Sequence, residues 1–146
     1  MCSGDAGRYP NGDCAFCPVP RPSILSLSDV YVCFGCGNDF TGNGTWYNPY
    51  DSISKALAMT SSTRNTIVVL PGRLTGSTNQ LINWAPVSLG ALSSVTIKSL
   101  SGSIFTIIDT SGYPFVNVTL PSTYRGTLTV ANITFTGSYV TDETSR

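Results

Sequence analysis

Apolar residues recur at every second position in several short stretches of the chain. Ser94-Val95-Thr96-Ile97-Lys98 places Val95 and Ile97 on one face and Thr96 and Lys98 on the other. Thr127-Leu128-Thr129-Val130 and Ile133-Thr134-Phe135-Thr136 repeat that alternation, and Phe105–Asp109 and Val116–Thr119 add two more short segments. Period-two patterning of this length predicts strands with one buried face. Thr66-Ile67-Val68-Val69-Leu70 is a short apolar run stopped by Pro71-Gly72, which predicts another strand. One stretch follows a helical period instead. Ile53, Ala56 and Leu57 fall at i, i+3 and i+4, with Asp51 or Ser52 available as the cap and Ser61-Ser62 as the stop.

The spacing of the strands carries further information. Ile67/Val69 align with Val95/Ile97 at a shift of 28, and Val95/Ile97 align with Leu128/Val130 at a shift of 33. Recurrence at 20–50 residues suits a solenoid, in which each repeat covers the open face of its neighbour. Short strands at close spacing also suit a β-sandwich, and periodicity alone does not separate the two.

Composition narrows the chemistry. The chain has 146 residues, 41% apolar and 11% charged, with eight basic and eight acidic side chains and no histidine. Nineteen serines and 18 threonines supply the polar surface that charge does not. Zero net charge gives no electrostatic case for nucleic acid or an anionic membrane. The lack of histidine excludes Ser-His-Asp and Cys-His catalysis and every His-ligated zinc site. The uncharged run from Leu74 to Ile97 is broken by Ser, Thr, Asn, Gln and Pro, so no membrane-spanning segment is expected. Gly35/Gly37 and Gly42/Gly44 read as turn glycines rather than a nucleotide loop, and no cofactor is expected.

All five cysteines lie in residues 1–36, where Cys14-Ala-Phe-Cys17-Pro18-Val-Pro20-Arg-Pro22 is too rich in proline for a helix or a central strand. Residues 37–50 are dense in Gly and Asn and read as consecutive turns.

The ordered motifs resemble a known family. Gly37-Asn-Asp39-Phe-Thr-Gly42-Asn-Gly44-Thr, then Asn48-Pro49-Tyr50-Asp-Ser52-Ile53-Ser-Lys-Ala56-Leu57, resembles the opening of right-handed parallel β-helix proteins of the pectin-lyase-like kind. Thr66–Thr75 looks like their first coil, and Val95–Gly102, Thr106–Asp109 and Leu128–Gly137 look like the next two. The resemblance implies an all-β right-handed parallel β-helix over residues 37–146, capped at its N-terminal end by the short helix. The coils would be incomplete at the C-terminal end, after a separate cysteine-rich module at 1–36. Members that cleave pectic polysaccharides carry clustered acidic residues on later coils. Here Asp109 is the only carboxylate between Asp51 and Asp142, so neither a two-carboxylate hydrolase site nor a calcium site can be assembled in that span. Asp109 instead reads as a turn residue beside Ser111-Gly112.

The cysteines admit several readings. Cys14-x2-Cys17 and Cys33-x2-Cys36 have the spacing of a four-thiolate zinc site. Gly7–Pro18 resembles the cysteine-rich modules of growth-factor receptors, which favours disulfides. Cys2–Cys14 and Cys17–Cys33 are the preferred bridges, leaving Cys36 over, although spacing does not fix the connectivity. Sequons occur at Asn43, Asn117 and Asn132. Asn43 sits in a turn, and Asn117 alternates with Val116 and Val118, so glycans are expected at these two. In the resembled fold an asparagine at the place of Asn132 occupies the tight bend between strands, so no glycan is expected there. Trp46, Tyr47 and Tyr50 cluster near the cap, where they either stack on a sugar or pack under the helix.

These readings combine into an expectation. The chain looks like the N-terminal part of an extracellular or cell-surface β-helix protein with a structural or adhesive role and no catalytic constellation. Met1–Asp5 has neither the basic nor the apolar region of a secretory signal, so if the protein is secreted the given chain reads as a piece of a longer product. The alternatives are a polysaccharide lyase or glycoside hydrolase with active coils beyond residue 146, and a carbohydrate-binding module. About two coils with an open last strand predict further coils, or end-to-end self-association, at the C-terminal edge.

Overall fold

A computed structural model describes residues 25–80, 82–84, 94–118 and 126–137. The chain runs β1 (Asp29–Val32), α1 (Ile53–Ala58), β2 (Thr66–Val69), β3 (Gly72–Leu74), β4 (Ile82–Trp84), β5 (Val95–Ser99), β6 (Thr106–Asp109), β7 (Val116–Val118), β8 (Leu128–Ala131) and β9 (Thr134–Thr136). The strands form three sheets with the orders β1-β2-β5-β8, β3-β6-β9 and β4-β7. Every pairing between these strands is parallel. From β2 onward, consecutive strands enter different sheets and the fourth returns beside the first. The facing antiparallel layers of a sandwich are absent among the described residues.

Register aligns the inward side chains into columns. Val30 lies opposite Ile67, Ile67 opposite Ile97, and Ile97 opposite Val130. Leu74, Ile108 and Phe135 form a second column in the three-stranded sheet. The expected shift of 33 between β5 and β8 holds, because Val95 faces Leu128. The shift between β2 and β5 is 30 rather than 28, with Ile67 opposite Ile97 and Val69 opposite Ser99. A slip of two residues preserves which face each side chain takes, so hydrophobic matching alone does not detect it.

The boundary after residue 36 is also corrected. β1 belongs to the four-stranded sheet, and Val30, Val32 and Cys33 are fully buried in it. Residues 29–36 are therefore part of the sheet assembly, and the rest of the proposed cysteine-rich module, residues 1–24, lies outside the described residues. β1 and β2 are covered on both faces, which explains their unbroken apolar runs. Val30, Val32, Ile67 and Val69 join the main core, whereas Tyr31, Val68 and Leu70 pack with Trp46 on the opposite face. β5 is covered on one face and alternates accordingly.

α1 has the expected stripe, with Ile53, Ala56 and Leu57 buried and Ser52 as its N-cap. It is six residues long and rests on β1, β2 and β4. Too short to hold itself, it is fixed by long-range hydrogen bonds at its start. The Ser52 Oγ accepts from Lys55 N–H at 3.1 Å and donates to Asp39 Oδ2 at 2.6 Å. Asp39 Oδ1 accepts from the Asp51 and Ser52 N–H groups at 2.8 and 3.1 Å. The buried Asn79 accepts from Ile53 N–H at 3.0 Å and donates to the Thr75 carbonyl at 3.1 Å.

The hydroxyl-rich composition has a structural use between neighbouring strand layers. Thr127 Oγ1 pairs with Ser94 Oγ at 3.0 Å, Thr134 Oγ1 donates to the Ser103 carbonyl at 2.7 Å, and Thr110 Oγ1 donates to the Thr136 carbonyl at 3.3 Å. Thr106 departs from this pattern. It is buried on the same side of β6 as Ile108, and its hydroxyl has no hydrogen-bond partner. An unpaired buried hydroxyl costs about 1–3 kcal/mol, and valine has nearly the same shape. Thr106→Val is therefore expected to raise stability by about 1 kcal/mol, or roughly 3–5 °C in melting temperature. Urea and thermal unfolding of the two proteins check this; a less stable variant would show that the hydroxyl has a partner.

Candidate functional site

The structure separates the three aromatic residues read as packing under the helix or stacking on a sugar. Tyr50 is buried in the main core beneath α1, and Trp46 is buried against Tyr31 in an edge-on contact with centroids 5.4 Å apart. Tyr47 exposes 60% of its surface. The packing role holds for Trp46 and Tyr50, and the three rings do not form one platform.

These aromatics close one end of the four-stranded sheet. Tyr31 N–H donates to the Gly44 carbonyl at 2.8 Å, Cys33 N–H to the Tyr50 carbonyl at 2.9 Å, and Tyr50 N–H to the Tyr31 carbonyl at 3.0 Å. The segment from Gly44 to Tyr50 thus occupies the free edge of β1. Gly44 has a φ of +72°, and a Cβ there would lie 2.7 Å from the Tyr50 ring and 2.9 Å from Val30 Cγ1. Only glycine meets both demands. Arg64 secures the same turn by donating to the carbonyls of Asn43, Gly44 and Asp29 at 3.2, 3.2 and 3.4 Å.

Beside this turn lies a groove of about 380 Å³, with Leu25, Leu27, Tyr31, Trp46 and Tyr47 among its lining residues. Asp29 and Arg64 also line it. The volume falls within the range of small-ligand pockets. Tyr31 Oη donates to Asp29 Oδ2 at 3.2 Å. Burial, then the Asp29 charge and this hydrogen bond, push the Tyr31 hydroxyl up to about 12. Burial also raises Tyr50, with Asp39 adding and Arg64 opposing.

A second open depression is lined by Gly35, Gly37, Asn38, Asp39, Phe40 and Asp51. Its carboxylates serve the backbone: Asp39 holds the start of α1, and Asp51 Oδ1 accepts from Gly35 N–H at 2.7 Å. Asp109 has the turn role expected of it, accepting from Ser111 N–H at 3.0 Å. It also pairs with Arg73 at 2.6 Å across β3 and β6. The Arg73 hydrogen bond, followed by that of Ser111, holds its carboxyl below the ordinary range. Both partners reach solvent, so the pair adds little stability.

Cys33 is bonded to Cys36, with Cα atoms 5.3 Å apart. This corrects the Cys17–Cys33 pairing and removes Cys33 and Cys36 from any thiolate zinc site. The geometric reason is local: Cys36 N–H and Gly37 N–H both donate to the Cys33 carbonyl, at 3.2 and 2.7 Å, and this turn brings the two sulfurs together. Cys2, Cys14 and Cys17 lie outside the described residues. No group of three metal-ligating side chains occurs among the described residues.

Asn43 and Asn117 are both exposed. Asn43 Oδ1 accepts from the N–H and the hydroxyl of Thr45 at 3.1 and 2.7 Å. Asn132 stands in the bend between β8 and β9 with a φ of +55°. The sequence reading gave no role to Tyr31, Asp39, Arg64 and Asn79. Asp39, Asn79 and Arg64 bond groups 12 to 35 residues away, and Tyr31 packs against Trp46, so no local pattern marked these contacts.

The Tyr31 environment predicts an alkaline transition. Its folded value is raised above the ordinary 10, so the unfolded chain releases the proton first. This contribution to stability is intact below about pH 10 and is lost as pH rises toward about 12. Unfolding free energies across that window should fall for the native protein and fall less steeply for Tyr31→Phe, since Tyr50 is also raised, and tyrosinate absorbance should show Asp29→Asn advancing the titration.

No helix among the described residues is long and apolar enough to cross a membrane. No family model, curated protein or solved structure matches this chain.

Proposed function

We propose that the three parallel sheets are the faces of a right-handed β-helix of the pectin-lyase-like kind, and that the protein is a non-catalytic extracellular or cell-surface scaffold with a structural or adhesive role. The observation that carries the reading is the column Val30–Ile67–Ile97–Val130, one side chain from each strand of the longest sheet. Right-handed crossovers dominate parallel connections generally, which supports the hand. α1 and the Gly44–Tyr50 segment cap the N-terminal end.

The column also marks an unfinished end. Val30, Ile67 and Ile97 are fully buried, whereas Val130 exposes 37% of its surface. A further rung belongs on β8, supplied by continuing chain or by a second copy.

Three features favour a scaffold over an enzyme. Asp39, Asp51 and Asp109 are committed to backbone donors, hydroxyls or Arg73. Hydroxyls tie adjacent rungs together without charge. Sequons stand exposed at Asn43 and Asn117, and a disulfide closes the first turn.

Passage of the chain through a eukaryotic secretory pathway tests this reading. Peptide mass spectrometry after enzymatic deglycosylation should find Asn43 and Asn117 converted to aspartate and Cys33 linked to Cys36. Unmodified asparagines together with reduced cysteines in the exported protein would contradict it.

A further inference from the structure

We propose that Asn43–Gly44 is a latent self-modification site, where the Gly44 backbone nitrogen closes on the Asn43 side chain to form a succinimide, and that Arg64 holds this reaction back in the folded chain. Among the described residues, Asn43 is the one asparagine followed by glycine. A side chain on the following residue crowds the attacking nitrogen, and glycine has none. Asn43 is exposed, so water reaches its amide, whereas Gly44 is buried.

The step balances without a redox partner. Base removes the Gly44 amide proton, the nitrogen bonds to Asn43 Cγ, and the Cγ–Nδ2 bond breaks to release ammonia. Water then opens the imide at either carbonyl, leaving aspartate or isoaspartate. The folded chain opposes this path at its start. Gly44 N–H donates to the Asn48 carbonyl at 3.0 Å, which shields the proton that base must take. Asn43 Oδ1 accepts from the N–H and the hydroxyl of Thr45 at 3.1 and 2.7 Å, which restrains the side chain.

Arg64 grips the reacting peptide unit from both sides. Its guanidinium donates to the Asn43 and Gly44 carbonyls at 3.2 Å each, and Tyr31 N–H donates to the Gly44 carbonyl at 2.8 Å. Ring closure must rotate this peptide, and Gly44 has little slack, since a Cβ there would lie 2.7 Å from the Tyr50 ring. Arg64 reaches the turn from 20 residues away, so its loss frees the turn without altering the turn's own sequence. Isoaspartate would add a methylene to the main chain just before Gly44 and draw its carbonyl away from Tyr31, loosening the segment that covers β1. A glycan on Asn43 would occupy Nδ2, the departing nitrogen, so the route belongs to the chain without one. The proposal does not rest on the β-helix or the scaffold reading.

Ageing the full, unglycosylated chain at mildly alkaline pH tests it, with peptide mapping and an isoaspartyl methyltransferase assay at Asn43. Conversion should be on the order of tenfold or more slower in the folded chain than in the same chain unfolded in urea. Arg64→Lys keeps the charge but not the planar fork, and should recover most of that difference while still melting cooperatively. Should that variant not fold, the native chain decides: in urea below its unfolding transition, conversion and hydrogen exchange of the Gly44 amide should rise together, ahead of global unfolding. Equal conversion in the folded and unfolded native chain, or none in either, would overturn the proposal. So would a folded Arg64→Lys chain that ages as slowly as the native one, or native conversion that tracks global unfolding alone.

Discussion

Parallel pairing in register is the constraint on which the rest of the structure depends. It places one inward side chain above another, so that Val30, Ile67 and Ile97 exclude water from each other along a single line. Full burial of such a side chain contributes about 1.5–3 kcal/mol. A one-residue slip in any strand would turn its whole inward set to the outside. Strands of three to five residues cannot persist alone, so each depends on its neighbours in the column. The connections between them vary: 37 residues separate paired positions of β1 and β2, 30 those of β2 and β5, and 27 those of β6 and β9. Longer surface connections cost little free energy, so the columns tolerate this variation.

The four-stranded sheet has β1 at one edge and β8 at the other, and the two differ. At the first edge, Gly44–Tyr50 satisfies the outer edge of β1, while Asp39, Ser52 and Asn79 hold a helix too short to stand alone. A Cys33–Cys36 disulfide fastens the turn that leads into this segment. At the other edge, β8 carries Leu128 half-buried and Val130 more exposed than any earlier member of its column.

What the sequence revealed followed from local periodicity. Ser52 as the cap, the Ile53/Ala56/Leu57 stripe and the β5–β8 register are all readable from neighbouring residues or from one clear alignment. β1 was hidden because its apolar run lies beside cysteines, whose spacing suggested a separate module. β3 and β4 are three residues each, too short for alternation to show. Burial of the aromatic cluster near the helix was legible and holds for Tyr50, whereas the packing of Trp46 against Tyr31 of β1 is a contact that only the folded chain creates. Asp109 was legible as a turn residue, but its Arg73 partner lies 36 residues upstream.

Paired cysteines on the outward face test the central claim most directly. Thr66, Thr96 and Thr129 occupy successive positions across β2, β5 and β8. Adjacent strands lie about 4.8 Å apart, within the Cα separation a disulfide spans, whereas alternate strands lie about twice that far. Oxidation followed by peptide mapping should link Thr66→Cys to Thr96→Cys, and Thr96→Cys to Thr129→Cys, in separate double variants. A bond between Thr66→Cys and Thr129→Cys, or failure of both adjacent pairs, would contradict the stacked parallel register.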